Sequence, residues 1–141
     1  MTAVDTNILV YAHRADSQFH RQAATVVRGL AEGQTPWLLP WPCLHEFLAV
    51  TTHPRIYSAP STVEQALSQV DAWLESPSVL LTSEGETYWD QLRAVCERSG
   101  VTGPRIHDAR VAALCLENGV TELLSCDRDF SRFPIIVRNP L

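Results

Sequence analysis

The chain has 141 residues, 45% apolar and 19% charged, with a net charge of −5, which suits one α/β-sized domain (1–141) that builds its own core without staples. All eleven basic residues are arginine, so chemistry that needs lysine is excluded: P-loop phosphate binding, Schiff-base formation and Ser-Lys hydrolysis. The acidic balance counts against a plain nucleic-acid binder, which carries a basic surplus, unless several acids converge on cations that invert the local charge.

Short β-like runs alternate with longer helix-like ones, the pattern of an α/β fold with a parallel sheet. Residues 2–5 read as a first strand, and Asp5-Thr6-Asn7 ends it and opens a helix over 8–13. A second helix is expected over 17–31, with Ala24, Val27, Leu30 and Ala31 on one face, and a second strand over 35–39. Pro42 suits the first turn of a helix, whose stripe is Leu44, Phe47, Leu48 and Thr51 and which Pro54 ends. Ser61 with Glu64 reads as a capping box for a helix reaching Glu75. A strand over 78–82, a helix over 83–99 closed by Gly100, and a helix over 104–118 closed by Asn118-Gly119 follow. Two short strands, 123–125 and 135–137, complete the pattern.

In open parallel sheets, ligands bind at the carboxyl ends of the strands. Asp5 and Asp127 both fall there, each just past a strand. Glu46 lies within an apolar helix, Asp108 within the Ala-rich run Asp108-Ala109-Arg110-Val111-Ala112-Ala113, and Asp129 two residues beyond Asp127. Each has an ordinary alternative. Asp5 serves as a helix cap, Glu46 as a solvent-facing acid, Asp108 as a first-turn cap, and Asp127 and Asp129 as turn formers. Gathered in one cleft they would repel strongly and would need cations. Hard divalent ions take such oxygen ligands and keep several waters, and bound metal can activate water and stabilise a leaving oxygen in phosphodiester cleavage.

Asp5-Thr6-Asn7 near the start, Leu44-His45-Glu46-Phe47 on a mid-chain helix, Asp108-Ala109 opening a late helix and Ser125-x-Asp127-x-Asp129-Phe130 near the end together resemble a PIN domain. More narrowly, they resemble the VapC-type toxins of bacterial toxin–antitoxin pairs. The resemblance runs from residue 2 to the last strand. It implies a PIN-like fold with a central, mostly parallel sheet of four to five strands flanked by helices. It implies Asp5, Glu46, Asp108 and Asp127 as catalytic residues and ligands of Mg²⁺ or Mn²⁺, with Asp129 as an auxiliary ligand. Asn7 and Ser125 match the positions that orient the acids; Ser125 stands where the family often has threonine, and both carry the needed hydroxyl. The implied activity is endoribonuclease cleavage of transfer, ribosomal or messenger RNA, silenced by a cognate VapB-type antitoxin, in a protein expected to form a homodimer.

Other residues refine that expectation. Arg105, Arg110, Arg128 and Arg132 flank the acids and are candidates for contacting RNA phosphates, against the ordinary alternative of salt-bridged or solvated arginine. His45-Glu46 begins a zinc-protease motif, but residue 49 is Ala49, so the motif fails. His107 adjoins Asp108; an exposed histidine is its plainer reading. Of the four tryptophans, Trp37, Trp73 and Trp89 are assigned to core packing or a protein interface, and Trp41 is left open for base stacking. Cys43, Cys96, Cys115 and Cys126 form no C-x-x-C pair, and Cys96 and Cys115 are expected as buried thiols. No run reaches the roughly 18 apolar residues of a membrane span, and the start has no basic n-region, so a cytoplasmic protein is expected. Phosphatases with a D-x-D start and receiver domains are disfavoured by Asn7 and the missing lysine. A catalytically inactive PIN-fold binding module and a DNA-directed metal nuclease are the alternatives that stay open.

Overall fold

The N-terminal strand is the middle of the sheet. A computed structural model describes all 141 residues and contains five strands: β1 (Thr2–Val4), β2 (Trp37–Pro40), β3 (Val79–Thr82), β4 (Glu122–Leu124) and β5 (Ile136–Arg138). They form one sheet in the order β3-β2-β1-β4-β5, and every pairing is parallel. Six helices connect them: α1 (Thr6–His13), α2 (His20–Glu32), α3 (Trp41–Thr51), α4 (Val63–Leu74), α5 (Tyr88–Ser99) and α6 (Arg105–Glu117), with a 3-10 helix at Arg128–Arg132. The expected α/β architecture is present, and the sheet is parallel throughout.

The central strands explain this arrangement. Ala3, Val4, Leu38, Leu39, Leu123 and Leu124 are all buried, the near-continuous apolar run of strands covered on both faces. Trp37 is fully buried beside them, and its indole N–H donates to Ser76 Oγ at 3.1 Å. At the sheet edges the demand relaxes: Leu80 and Leu81 of β3 and Ile136 of β5 are exposed.

Several boundaries differ from the sequence expectation, each for a local reason. The capping box of α4 is Thr62 with Gln65, not Ser61 with Glu64. The Ser61 hydroxyl is engaged elsewhere, 2.9 Å from His13 Nε2. Helix α5 begins at Tyr88 rather than residue 83. The segment before it is pinned as a loop, because Thr87 Oγ1 donates to Glu117 at 2.9 Å and Arg110 holds Glu84. Helix α2 begins at His20, after a turn in which Ser17 Oγ donates to the Tyr11 carbonyl at 3.2 Å. The 3-10 helix is an addition; the Asp127 carboxylate caps it by accepting the Asp129 N–H at 2.9 Å. At Gly100, φ is +67°, and the glycine closes α5 as expected.

Connectivity places the site. From β1 the chain moves outward to β2 and then β3, and returns on the other side of β1 as β4 and β5. The switch point therefore lies between the carboxyl ends of β1 and β4. There the Asp5 N–H donates to the Leu124 carbonyl at 3.0 Å, which joins the two strand ends.

Candidate active site

Asp5 is the best-held acid of the molecule. It caps α1, with Oδ1 accepting the Thr6 N–H at 2.8 Å. Its Oδ2 accepts the Ser125 hydroxyl at 2.7 Å and the Asn7 amide at 3.2 Å. The supporting side chains are themselves fixed. Asn7 Oδ1 accepts the Cys126 N–H at 3.1 Å, and Ser125 Oγ accepts the Asp127 N–H at 3.0 Å. A cap and a site acid are thus the same residue. Asp5 is only 6% exposed. Burial pushes its pKa up to about 6, the Ser125 and Thr6 hydrogen bonds pull it down, and the neighbouring carboxylates of Glu46 and Asp108 push it up.

Glu46 projects from α3 toward solvent, and its Oε2 accepts the Thr6 hydroxyl at 3.0 Å. Asp108 lies in the first turn of α6, one turn too deep to cap it. Burial raises the Asp108 pKa; Arg105 opposes that rise, while Asp127 and Glu46 add to it. Asp127 follows β4 through Ser125. These four acids, with Thr6 and Asn7, line one cleft of about 270 Å³. Val10, Val50, Tyr11 and Tyr57 form the rest of its wall.

Asp129 stands at the rim, where Arg105 gathers the open side of the cluster. The Arg105 guanidinium donates to Asp108 Oδ2 at 3.2 Å, lies 3.7 Å from Asp127 Oδ2 and pairs with Asp129. Of the other arginines, Arg110 donates to Glu84 Oε1 at 2.6 Å, and Arg128 and Arg132 are exposed with no ion pair. His107 is exposed.

Four contributors escaped the sequence reading. Thr6 orients Glu46 through its hydroxyl and donates its backbone N–H to the capping carboxylate of Asp5. The Cys43 thiol, fully buried, lies 3.9 Å from Asp5 Oδ1. Tyr11 and Tyr57 line the cleft, and Tyr57 is clamped by the Arg14 guanidinium, 3.9 Å above its ring. Arg14 is in turn held by Asp16 at 2.6 Å and by the Ala59 carbonyl at 2.9 Å. Only the D-T-N spelling offered a signal for Thr6; Tyr11 lines the cleft from the same helix, one turn beyond Asn7, while Cys43 and Tyr57 depend on contacts between distant segments. Trp89, expected in a core or interface, is 64% exposed, while Trp37 and Trp73 are buried as expected and Trp41 rests 6.1 Å from His45, ring to ring.

The donor set is all carboxylate oxygen, the chemistry of a Mg²⁺ or Mn²⁺ site rather than of zinc or copper. As the side chains stand, no three His, Cys, Asp or Glu residues converge on one point suited to an ion; a guanidinium already balances the open side. The residues fit a hard divalent ion in kind and in charge.

The chain belongs to the PIN domain family, whose model matches residues 2–136. Within that family it groups with VapC ribonucleases. It is 38% identical to ribonuclease VapC43 of Mycobacterium tuberculosis (strain ATCC 25618 / H37Rv) over 133 residues, which is 94% of this chain and 90% of that relative. Its fold is similar to the crystal structure of M. tuberculosis VapC20, a sarcin-ricin loop cleaving toxin, with a TM-score of 0.68 at 18% identity over 93% of each chain. It is also similar to VapBC2 from Rickettsia felis bound to a DNA fragment from their promoter, with a TM-score of 0.67 at 21% identity over 98% of this chain and 97% of the other. No helix is long and apolar enough to cross a membrane.

Proposed function

We propose that this chain, as one PIN domain over residues 1–141, is a metal-dependent endoribonuclease, the toxin of a VapBC-type pair, acting in the cytoplasm. The observation that carries the reading is the cleft at the β1/β4 switch point, which Asp5, Glu46, Asp108 and Asp127 line together. The VapC relatives support ribonuclease activity. The VapBC complex of similar fold supports a VapB-type antitoxin as partner, and a homodimer is proposed with it.

Asp5, Glu46, Asp108 and Asp127 would hold Mg²⁺ or Mn²⁺, with Asp129 as an auxiliary ligand. When bound, such an ion lowers the pKa of water and stabilises charge on a leaving oxygen. The chain supplies the rest. Ser125 and Asn7 fix Asp5 Oδ2 and Thr6 fixes Oδ1, so that the carboxylate keeps one orientation. Thr6 holds Glu46 toward the cleft. Tyr57, clamped by Arg14, gives the apolar wall a flat aromatic surface suited to a nucleotide base. Arg128 and Arg132 are unpaired cations available to phosphate oxygens, whereas Arg110 must first leave Glu84.

Matched RNA and DNA strands of one sequence, incubated with Mg²⁺, Mn²⁺ or EDTA, test the proposal. Metal-dependent cutting of RNA alone is expected. Equal cutting of both strands would favour the DNA-directed alternative, and no cutting with retained partner binding would favour an inactive binding module.

A further inference from the structure

Arg105 occupies a position that helix electrostatics disfavour. It is the first residue of α6, and the N-cap Pro104 offers no side-chain acceptor. A cation at a helix N-terminus meets the positive end of the dipole. Its side chain is nevertheless ordered across three acids from two segments, Asp108 of α6 and Asp127 and Asp129 of the loop after β4. The acids, not the helix, hold it there.

We propose that Arg105 is a resident counter-ion of the cleft that competes with the divalent ion for Asp108, Asp127 and Asp129 and must release them when the ion binds. This rests on the metal-site reading above. The competition follows from shared atoms. Asp108 Oδ2 accepts the guanidinium N–H at 3.2 Å and Asp127 Oδ2 lies 3.7 Å from it, so a divalent ion drawn to the same carboxylates meets the repulsion of the guanidinium charge. Release is easy in geometric terms. The Arg105 side chain is 42% exposed, so water replaces its bonds without opening the core. Asp5 lies outside the competition, because it is held by Thr6, Ser125 and Asn7 and makes no ion pair with Arg105.

The test is Mn²⁺ titration by calorimetry into metal-free protein, for wild type, Arg105→Gln, Arg105→Lys and Asp108→Asn, with thermal melts in EDTA alongside. Arg105→Gln is expected to bind Mn²⁺ about two- to fivefold more tightly, the size of one exposed ion pair, and to melt lower without metal because its acids are left unbalanced. Arg105→Lys keeps the charge but loses the fork, so its affinity should fall between the two. Asp108→Asn should weaken binding, which ties the heat to this cleft. Unchanged or weaker Mn²⁺ affinity in Arg105→Gln, with Asp108→Asn still impaired, would overturn the competition while leaving the metal site in place. Wild type without a binding heat, or Asp108→Asn binding like wild type, would overturn both.

Discussion

Asp5 and Asp108 line the same cleft, yet they are held by different means. Asp5 is 6% exposed and has donors on both oxygens from Thr6, Ser125 and Asn7, residues of α1 and of the strand end beside it. The Asp108 side chain is 26% exposed and leans on one arginine that it shares with two other acids. The first arrangement is part of the fold: the β1–β4 pairing that builds the sheet also delivers Ser125 to Asp5. The second is a charge balance near the surface, where ion pairs are weak and solvent-screened. One wall of the cleft is therefore preorganised and the other is adjustable, a division suited to a site that must admit and release a charged ligand.

The comparison is broken most strongly at Asp5. Asp5→Asn should lower RNA cleavage by more than the roughly 10–100-fold that loss of an outer-shell partner costs, while circular dichroism stays that of the folded protein; a folded variant cutting at the wild-type rate would remove Asp5 from the site. Ser125→Ala comes next. It should cost about 10–100-fold in metal affinity or cleavage, and Ser125→Thr, which restores the hydroxyl, should recover most of the loss in the same titration.

Stability against pH sharpens the contrast further. The folded Asp5 pKa of about 6 lies above the ordinary 3.8, so between those values the folded protein holds a proton that the unfolded chain has lost. Metal-free stability should then fall as pH rises from about 4 to about 6, by up to about 3 kcal/mol, and level off above. Melts in EDTA across that range should show the decline, and Asp5→Asn should flatten it. Asp108 shifts in the same direction, but with more exposure Asp108→Asn should flatten the decline less than Asp5→Asn. The smallest effect is expected from the unpaired arginines: Arg128→Ala or Arg132→Ala should weaken RNA binding about equally across sequences and reduce the salt slope by about 1, as read by filter binding at several ionic strengths.

How much of this was legible in the sequence follows the same division. Strand and helix order, the Gly100 cap and the placement of Asp5 and Asp127 beyond strand ends came from apolar periodicity and spacing, which act locally. The support of Asp5 by Asn7 and Ser125 was legible only through resemblance, because the two lie 118 positions apart. The Arg105 fork was not legible. Its geometry depends on the loop that turns at Gly103, with φ +59°, and on a 3-10 helix that no hydrophobic period announces. The Thr62–Gln65 cap was missed by one residue because Ser61-x-x-Glu64 fits the same pattern, and only the prior engagement of Ser61 with His13 decides between them.

The most direct test is incubation of the purified protein with total bacterial RNA in Mg²⁺, Mn²⁺ or EDTA, beside Asp5→Asn. Discrete fragments that require metal and vanish in Asp5→Asn are predicted. Fragments that persist in EDTA, or that Asp5→Asn produces as well as wild type, would contradict a metal-dependent nuclease anchored on Asp5.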